Sequence, residues 1–108
     1  MPNITYDDFA KLDLRIARII STEKISGKSR IIKGVIDLGD EKREVIIGGA
    51  EYYQPEELVG KTVVVIANLE PRKIAGFESN AMLLAADVSD RPFWLTVQED
   101  VPLGTKIK

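Results

Sequence analysis

Among the 108 residues there is no histidine and no cysteine. Their absence removes the commonest general base, the thiolate nucleophile, the disulfide and nearly every zinc site together. Candidate chemistry then falls to carboxylates and to Lys and Arg. Adjacent acids occur at Asp7–Asp8, Asp40–Glu41, Glu56–Glu57 and Glu99–Asp100, and such pairs can serve acid/base catalysis or Mg²⁺. All four fall in expected turns or helix starts, where solvated caps are the ordinary explanation. Gly27–Lys28–Ser29 copies the end of a phosphate-binding loop, yet Thr22 stands where that loop needs its first glycine, and a strand follows where a helix is required. No catalytic residue, metal or cofactor is expected from this inventory.

The basic residues point elsewhere. Fifteen Lys and Arg against seventeen Asp and Glu give a net charge of −2, which by itself speaks against a polyanionic partner. The distribution is uneven. From Lys11 to Lys33 there are seven bases (Lys11, Arg15, Arg18, Lys24, Lys28, Arg30, Lys33) and two acids (Asp13, Glu23), so that window carries +5 and the remainder −7. Acids on an opposite face are screened beyond roughly 8 to 10 Å, so a basic surface can coexist with a negative total. Charge alone favours a solvated face of mixed sign.

The elements that must position these residues are mostly strands. Thr5 followed by Asp8 and Phe9 suggests a capped helix over Tyr6 to Lys11. Alternation predicts strands over Leu14 to Thr22, Ile31 to Leu38 and Arg43 to Ile47, the last two joined across Gly39–Asp40–Glu41. Pro55 to Val59, stopped by Gly60, reads as one short helix. Val63 to Ile66 is a run of β-branched apolar residues, as in a strand covered on both faces. Ala81 to Ala86, Phe93 to Val97 and Lys106 to Lys108 are later strand candidates, and Glu70 to Ser79 reads as a loop. Short strands at near-regular spacing with little helix predict an all-β, five-stranded OB-fold barrel with short helices and a C-terminal strand extension, in a single domain over 1–108. The longest unbroken apolar run, Ala81 to Ala86, is too short for a membrane span, and Met1 to Ala10 has no basic start, so a soluble cytoplasmic protein is expected.

One stretch carries more than structure. Asn68–Leu69–Glu70–Pro71–Arg72–Lys73–Ile74–Ala75–Gly76–Phe77–Glu78–Ser79–Asn80–Ala81–Met82–Leu83–Leu84–Ala85 sets adjacent bases, a proline and an aromatic between two strands. A barrel that binds oligonucleotides presents backbone contacts and a stacking surface in this way. The stretch resembles the signature of the tRNA-binding domain family, found at the C-terminus of many methionyl-tRNA synthetases, as stand-alone β subunits and in structure-specific tRNA-binding cofactors. Asp13–Leu14–Arg15–Ile16–Ala17–Arg18–Ile19 resembles that family's opening strand. Ile36 to Gly39 with Arg43, Ala50 to Tyr53 and Glu57 to Lys61 continue the likeness, which covers roughly Phe9 to Ile107. Three positions depart from it: Ser29–Arg30 where Asp-Lys is common, Ile47–Gly48–Gly49 where Ser-Gly-hydrophobic is common, and Ala81 where Gly is common.

The resemblance implies non-catalytic, structure-specific binding of tRNA, by a partner acting in trans on the methionyl-tRNA synthetase catalytic chain. It implies Arg30, Ser79 and Met82 as RNA contacts; charge and loop position add Lys28, Lys33, Arg72 and Lys73. It also implies a homodimer. The trailing apolar residues Phe93, Trp94, Leu95, Val97, Val101, Leu103 and Ile107 agree, since they exceed what so small a barrel can cover. A second expectation is a dimeric, secretion-chaperone-like peptide-binding protein of the same fold, whose family shares the Pro71-to-Phe77 stretch and which requires an exposed apolar patch.

Overall fold

Alternating apolar residues cut by glycine-marked turns give the order α1 (Tyr6–Ala10), β1 (Leu14–Lys24), β2 (Ile31–Asp37), β3 (Lys42–Gly48), α2 (Pro55–Leu58) and β4 (Thr62–Ile66). After these come β5 (Arg72–Ile74), β6 (Phe77–Ser79), β7 (Met82–Leu83), β8 (Ala85–Val88), β9 (Arg91–Trp94) and β10 (Lys106–Ile107). The computed structural model describes residues 1–108.

Strand β1 organises the barrel because its eleven residues are long enough to serve several neighbours. Its first half pairs antiparallel with β4, from Leu14 opposite Ile66 to Arg18 opposite Thr62. Its second half pairs antiparallel with β2, from Arg18 opposite Asp37 to Lys24 opposite Ile32, with a register shift between Ile19 and Ser21. An extra residue at such a point bends the strand and raises its twist, which lets one strand turn the barrel corner. Strand β3 follows β2 as a hairpin, Ile31 opposite Gly48 through Asp37 opposite Lys42. Gly39 in that turn has φ +93°, and a Cβ there would lie 2.6 Å from the Leu103 carbonyl oxygen, so glycine is required on both counts.

The barrel is nearly closed. β7 continues the sheet beyond β4, giving the order β3-β2-β1-β4-β7. The seam back to β3 is made by Asn80 N donating to Glu44 O at 3.0 Å and by Ile46 N donating to the Ser79 hydroxyl at 3.0 Å. Inside lie Ile19, Ile32, Ile36, Val45, Ile47, Val63 and Val65, with Leu58 of α2 fully buried against them. The run Val63–Val64–Val65 is buried throughout, as expected of a strand covered on both faces.

Four local differences from the sequence reading have physical causes. The stretch Glu70 to Ser79 is a tight hairpin, β5 with β6, rather than a loop. The expected strand Ala81 to Ala86 is split at Leu84, whose N–H donates to Val64 O in the barrel and whose carbonyl accepts from Leu95 N in the extension. β9 begins two residues earlier than expected, because Ser89 and Asp90 both take positive φ (51° and 71°) and make a two-residue turn from β8. Finally, β10 returns to β1, Leu14 opposite Ile107, and takes the edge that β2 leaves free. Gly60 and Gly104, at φ +90° and +85°, lead into β4 and β10 alike, each donating its N–H to a β1 carbonyl at 2.7 Å.

Candidate nucleic-acid interface

Two loops carry the expected contacts. The first connects β1 to β2 and is anchored by buried Ile25, whose carbonyl accepts from Lys28 N at 3.0 Å. Gly27 at φ +78° permits the turn. Lys28 is exposed, and the Arg30 side chain is 84% exposed with its Nε 3.6 Å from Glu51. The Arg30 carbonyl accepts from Gly49 N and Ala50 N, fixing the turn after β3. Lys33 differs from these two. Its side chain is 23% exposed, and its Nζ lies 3.6 Å from Glu23, 3.7 Å from Glu44 and 5.0 Å from the centre of the Phe77 ring.

The second loop is held at its base. Ala67 N donates to Asp13 O at 2.7 Å, while the Asn68 side chain accepts from Asp13 N at 2.9 Å and donates to Lys11 O at 2.6 Å. Arg15 bonds the Asp13 carboxylate through Nε at 3.0 and 3.1 Å, and this hydrogen bond, with the Arg15 charge, holds the Asp13 carboxyl below the usual carboxylate range despite opposing burial. Arg43 donates to the carbonyls of Ala67 and Asn80 and pairs with Glu41. The chain between these carbonyls therefore leaves and re-enters the barrel at one guanidinium.

Within that excursion, Ala75 (φ 54°) and Gly76 (φ 84°) form the two-residue turn between β5 and β6. Lys73 stands opposite Glu78 and Arg72 opposite Ser79. Both bases are exposed, and neither is within salt-bridge distance of a carboxylate. As neighbours on a strand they face opposite sides of the hairpin, so they do not act as one doubled charge. Ser79 is buried, its hydroxyl accepting from Ile46 N and donating to Ala81 O at 3.2 Å. Met82 is 37% exposed and lines an open depression of about 400 Å³ with Gly48, Gly49, Leu84 and Trp94.

The basic window is accordingly thinner in space than in sequence. Lys11 pairs with Asp8 at 3.2 Å, Arg15 with Asp13 at 3.0 Å, and Lys33 with two acids. What stands out is Lys28 on one loop, beside an Arg30 that is 84% exposed but lies 3.6 Å from Glu51, and Arg72 and Lys73 on the other. One further base, Arg91, is missed by the sequence pattern; its guanidinium lies 4.9 Å from the Phe93 ring centre and 5.6 Å from those of Tyr52 and Tyr53. Its only signal in the sequence is an arginine beside aromatics after a turn. No group of three or more carboxylates is placed to hold a metal.

A family model for the tRNA binding domain matches residues 14–106. The chain belongs to the tRNA-binding domain family. The likeness read from Asp13 to Ile19 and from Asn68 to Ala85 thus holds over almost the full length. This tRNA-binding domain is 53% identical over 109 residues to a methionine–tRNA ligase of Methanocella arvoryzae, covering 100% of the chain and 16% of the ligase. It is 50% identical over 104 residues to that of Thermotoga maritima, covering 96% of the chain and 16% of the ligase. The domain therefore spans about one-sixth of these curated relatives. Among solved structures, a MetRS-related protein from Pyrococcus horikoshii superposes with a TM-score of 0.93 at 34% identity, each chain fully covered. The chaperone CsaA of Bacillus anthracis gives 0.90 at 28%, covering 99% of this chain and 100% of that one.

Proposed function

We propose that this chain binds folded tRNA without catalysing a reaction, and acts in trans on methionyl-tRNA synthetase as a stand-alone subunit or cofactor in the cytoplasm. The observation that carries the reading is the hairpin β5–β6, tied to the barrel by Arg43 and Asn68, which presents Arg72 and Lys73 exposed and outside any salt bridge, although Lys73 stands opposite Glu78. Across the barrel surface, Lys28 and Arg30 supply the other phosphate contacts, and Met82 an apolar contact beside them. Lys33 contributes less, because Glu23 and Glu44 already neutralise it. Ser79 acts by holding the hairpin, since both of its hydrogen bonds stay inside the fold. A backbone-directed surface of this kind reads shape more than sequence. Docked on the synthetase, such a module raises the effective tRNA concentration at the catalytic chain without new catalytic contacts.

The test is a gel shift with folded tRNA, unfolded tRNA and a duplex of equal length, each at two salt concentrations. Folded tRNA binds best, and Arg30→Ala and the Arg72→Ala/Lys73→Ala pair each weaken it. The salt slope falls by about one unit for every phosphate that a variant no longer neutralises. Charge reversal at Glu56 and Glu57 has little effect, and Met82→Ala lowers affinity with the slope unchanged. Unchanged affinity in both basic variants transfers the lead to the second reading, a peptide-binding protein. That reading is favoured by the superposition on CsaA and by exposed Val88 and Leu95, and it gives binding insensitive to salt.

A further inference from the structure

The hairpin β8–β9 is locked onto the turn that follows β3. Pro92 packs so closely on Gly49 that a Cβ there would lie 2.7 Å from the proline Cγ, and the Tyr53 hydroxyl donates to Pro92 O at 2.6 Å. The same turn hangs from the Arg30 carbonyl through Gly49 N and Ala50 N. Two distant segments thus bring Tyr52, Tyr53, Arg91 and Phe93 together in a fixed arrangement.

The rings set this cluster apart from the other basic sites. Arg15, Lys33 and Arg43 are each matched by carboxylates; Arg91, like Lys28, Arg72 and Lys73, has none within salt-bridge distance, and it also has three rings within 5.6 Å of its guanidinium. Tyr53 is half-buried and braced by Trp94 at 6.1 Å. Tyr52 and Phe93 remain 43% and 42% exposed. A guanidinium plane edged by exposed rings offers stacking surface to a base and positive charge to its phosphate. An apolar peptide gains nothing from the unpaired charge. The exposed Arg30 side chain lies 3.6 Å from Glu51, the residue that precedes Tyr52, so the cluster adjoins the surface proposed above for RNA.

We infer that Tyr52, Arg91 and Phe93 form a stacking subsite for an unpaired nucleobase of the bound RNA. This inference rests on the proposed RNA binding, and it adds a contact that paired RNA cannot satisfy.

Tyr52→Leu and Phe93→Leu keep apolar bulk but remove the ring, and Arg91→Lys keeps the charge but removes the planar stack. The probes are folded tRNA and a single-stranded ten-nucleotide oligoadenylate, read by affinity at two salt concentrations and by the fluorescence of Trp94, the one tryptophan of the chain. In the parent protein the oligoadenylate quenches Trp94. Each leucine variant lowers affinity for both probes about ten-fold, with the salt slope and the melting temperature unchanged, and Arg91→Lys lowers it several-fold. If the parent binds tRNA while all three variants bind both probes as tightly, the subsite is overturned and RNA binding stands. If the parent binds neither probe, the functional reading itself falls. Loss of peptide binding alone, or a change in sedimentation, assigns the rings to a protein interface and overturns the subsite.

Discussion

Ser79 shows how a side chain that reads as an RNA contact can serve the fold first. Its hydroxyl accepts the Ile46 N–H at the seam of the barrel and donates to Ala81 O, so Ser79→Ala leaves a part-buried N–H without its acceptor. We expect a loss of about 1 to 3 kcal/mol in stability, measured from denaturant midpoints, with no shift in the salt slope of tRNA binding. A larger effect on affinity than on stability returns the hydroxyl to the RNA. Lys33 teaches a related point. Its neighbours Glu23 and Glu44 are ten and eleven residues away in sequence, yet Glu23 is its direct partner across β1–β2. A charge count over the window gives the right sum there and the wrong surface, because strand register decides which charges meet.

At the level of elements, β1 to β4 and both helices are legible in the sequence to within a few residues, since alternation, proline and glycine all agree there. The hairpin β5–β6 is not. A two-residue turn of this type is ordinarily announced by Asn-Gly or Asp-Gly, and here it is Ala75–Gly76, with Ala75 at φ 54°. Holding alanine in the left-handed region costs about 1 kcal/mol. Ala75→Asn therefore raises stability by roughly 0.5 to 1 kcal/mol in thermal unfolding, and Ala75→Val lowers it. Equal stability for all three would place the strain elsewhere. The same hidden hairpin explains why Arg72 and Lys73, one basic pair by sequence, lie on opposite faces.

For the whole molecule, the trailing apolar residues divide. Trp94 packs against the core, Leu103 and Ile107 are half-buried by the return of β10, and Leu95 stays 41% exposed. Helix α1 buries no residue, leaving Ile4, Tyr6 and Leu12 exposed beside it at 69%, 74% and 39%. We expect these to meet in a homodimer that buries more than about 2,000 Å² in total. Sedimentation that finds only the 12.0 kDa chain at micromolar concentration counts against it. The barrel and its family can be read from sequence because they rest on local pattern, whereas surfaces built from distant segments, such as Arg91 with Tyr52, cannot. The Arg43 staple has one more consequence. Because a single guanidinium holds the carbonyls at both ends of the excursion, we expect the tip of the segment from Leu69 to Glu78 to behave as an exchangeable cassette, anchored on the barrel side by Phe77 against Lys33. Changes of length or charge at Ala75 and Gly76 should leave the melting temperature of the barrel nearly unchanged.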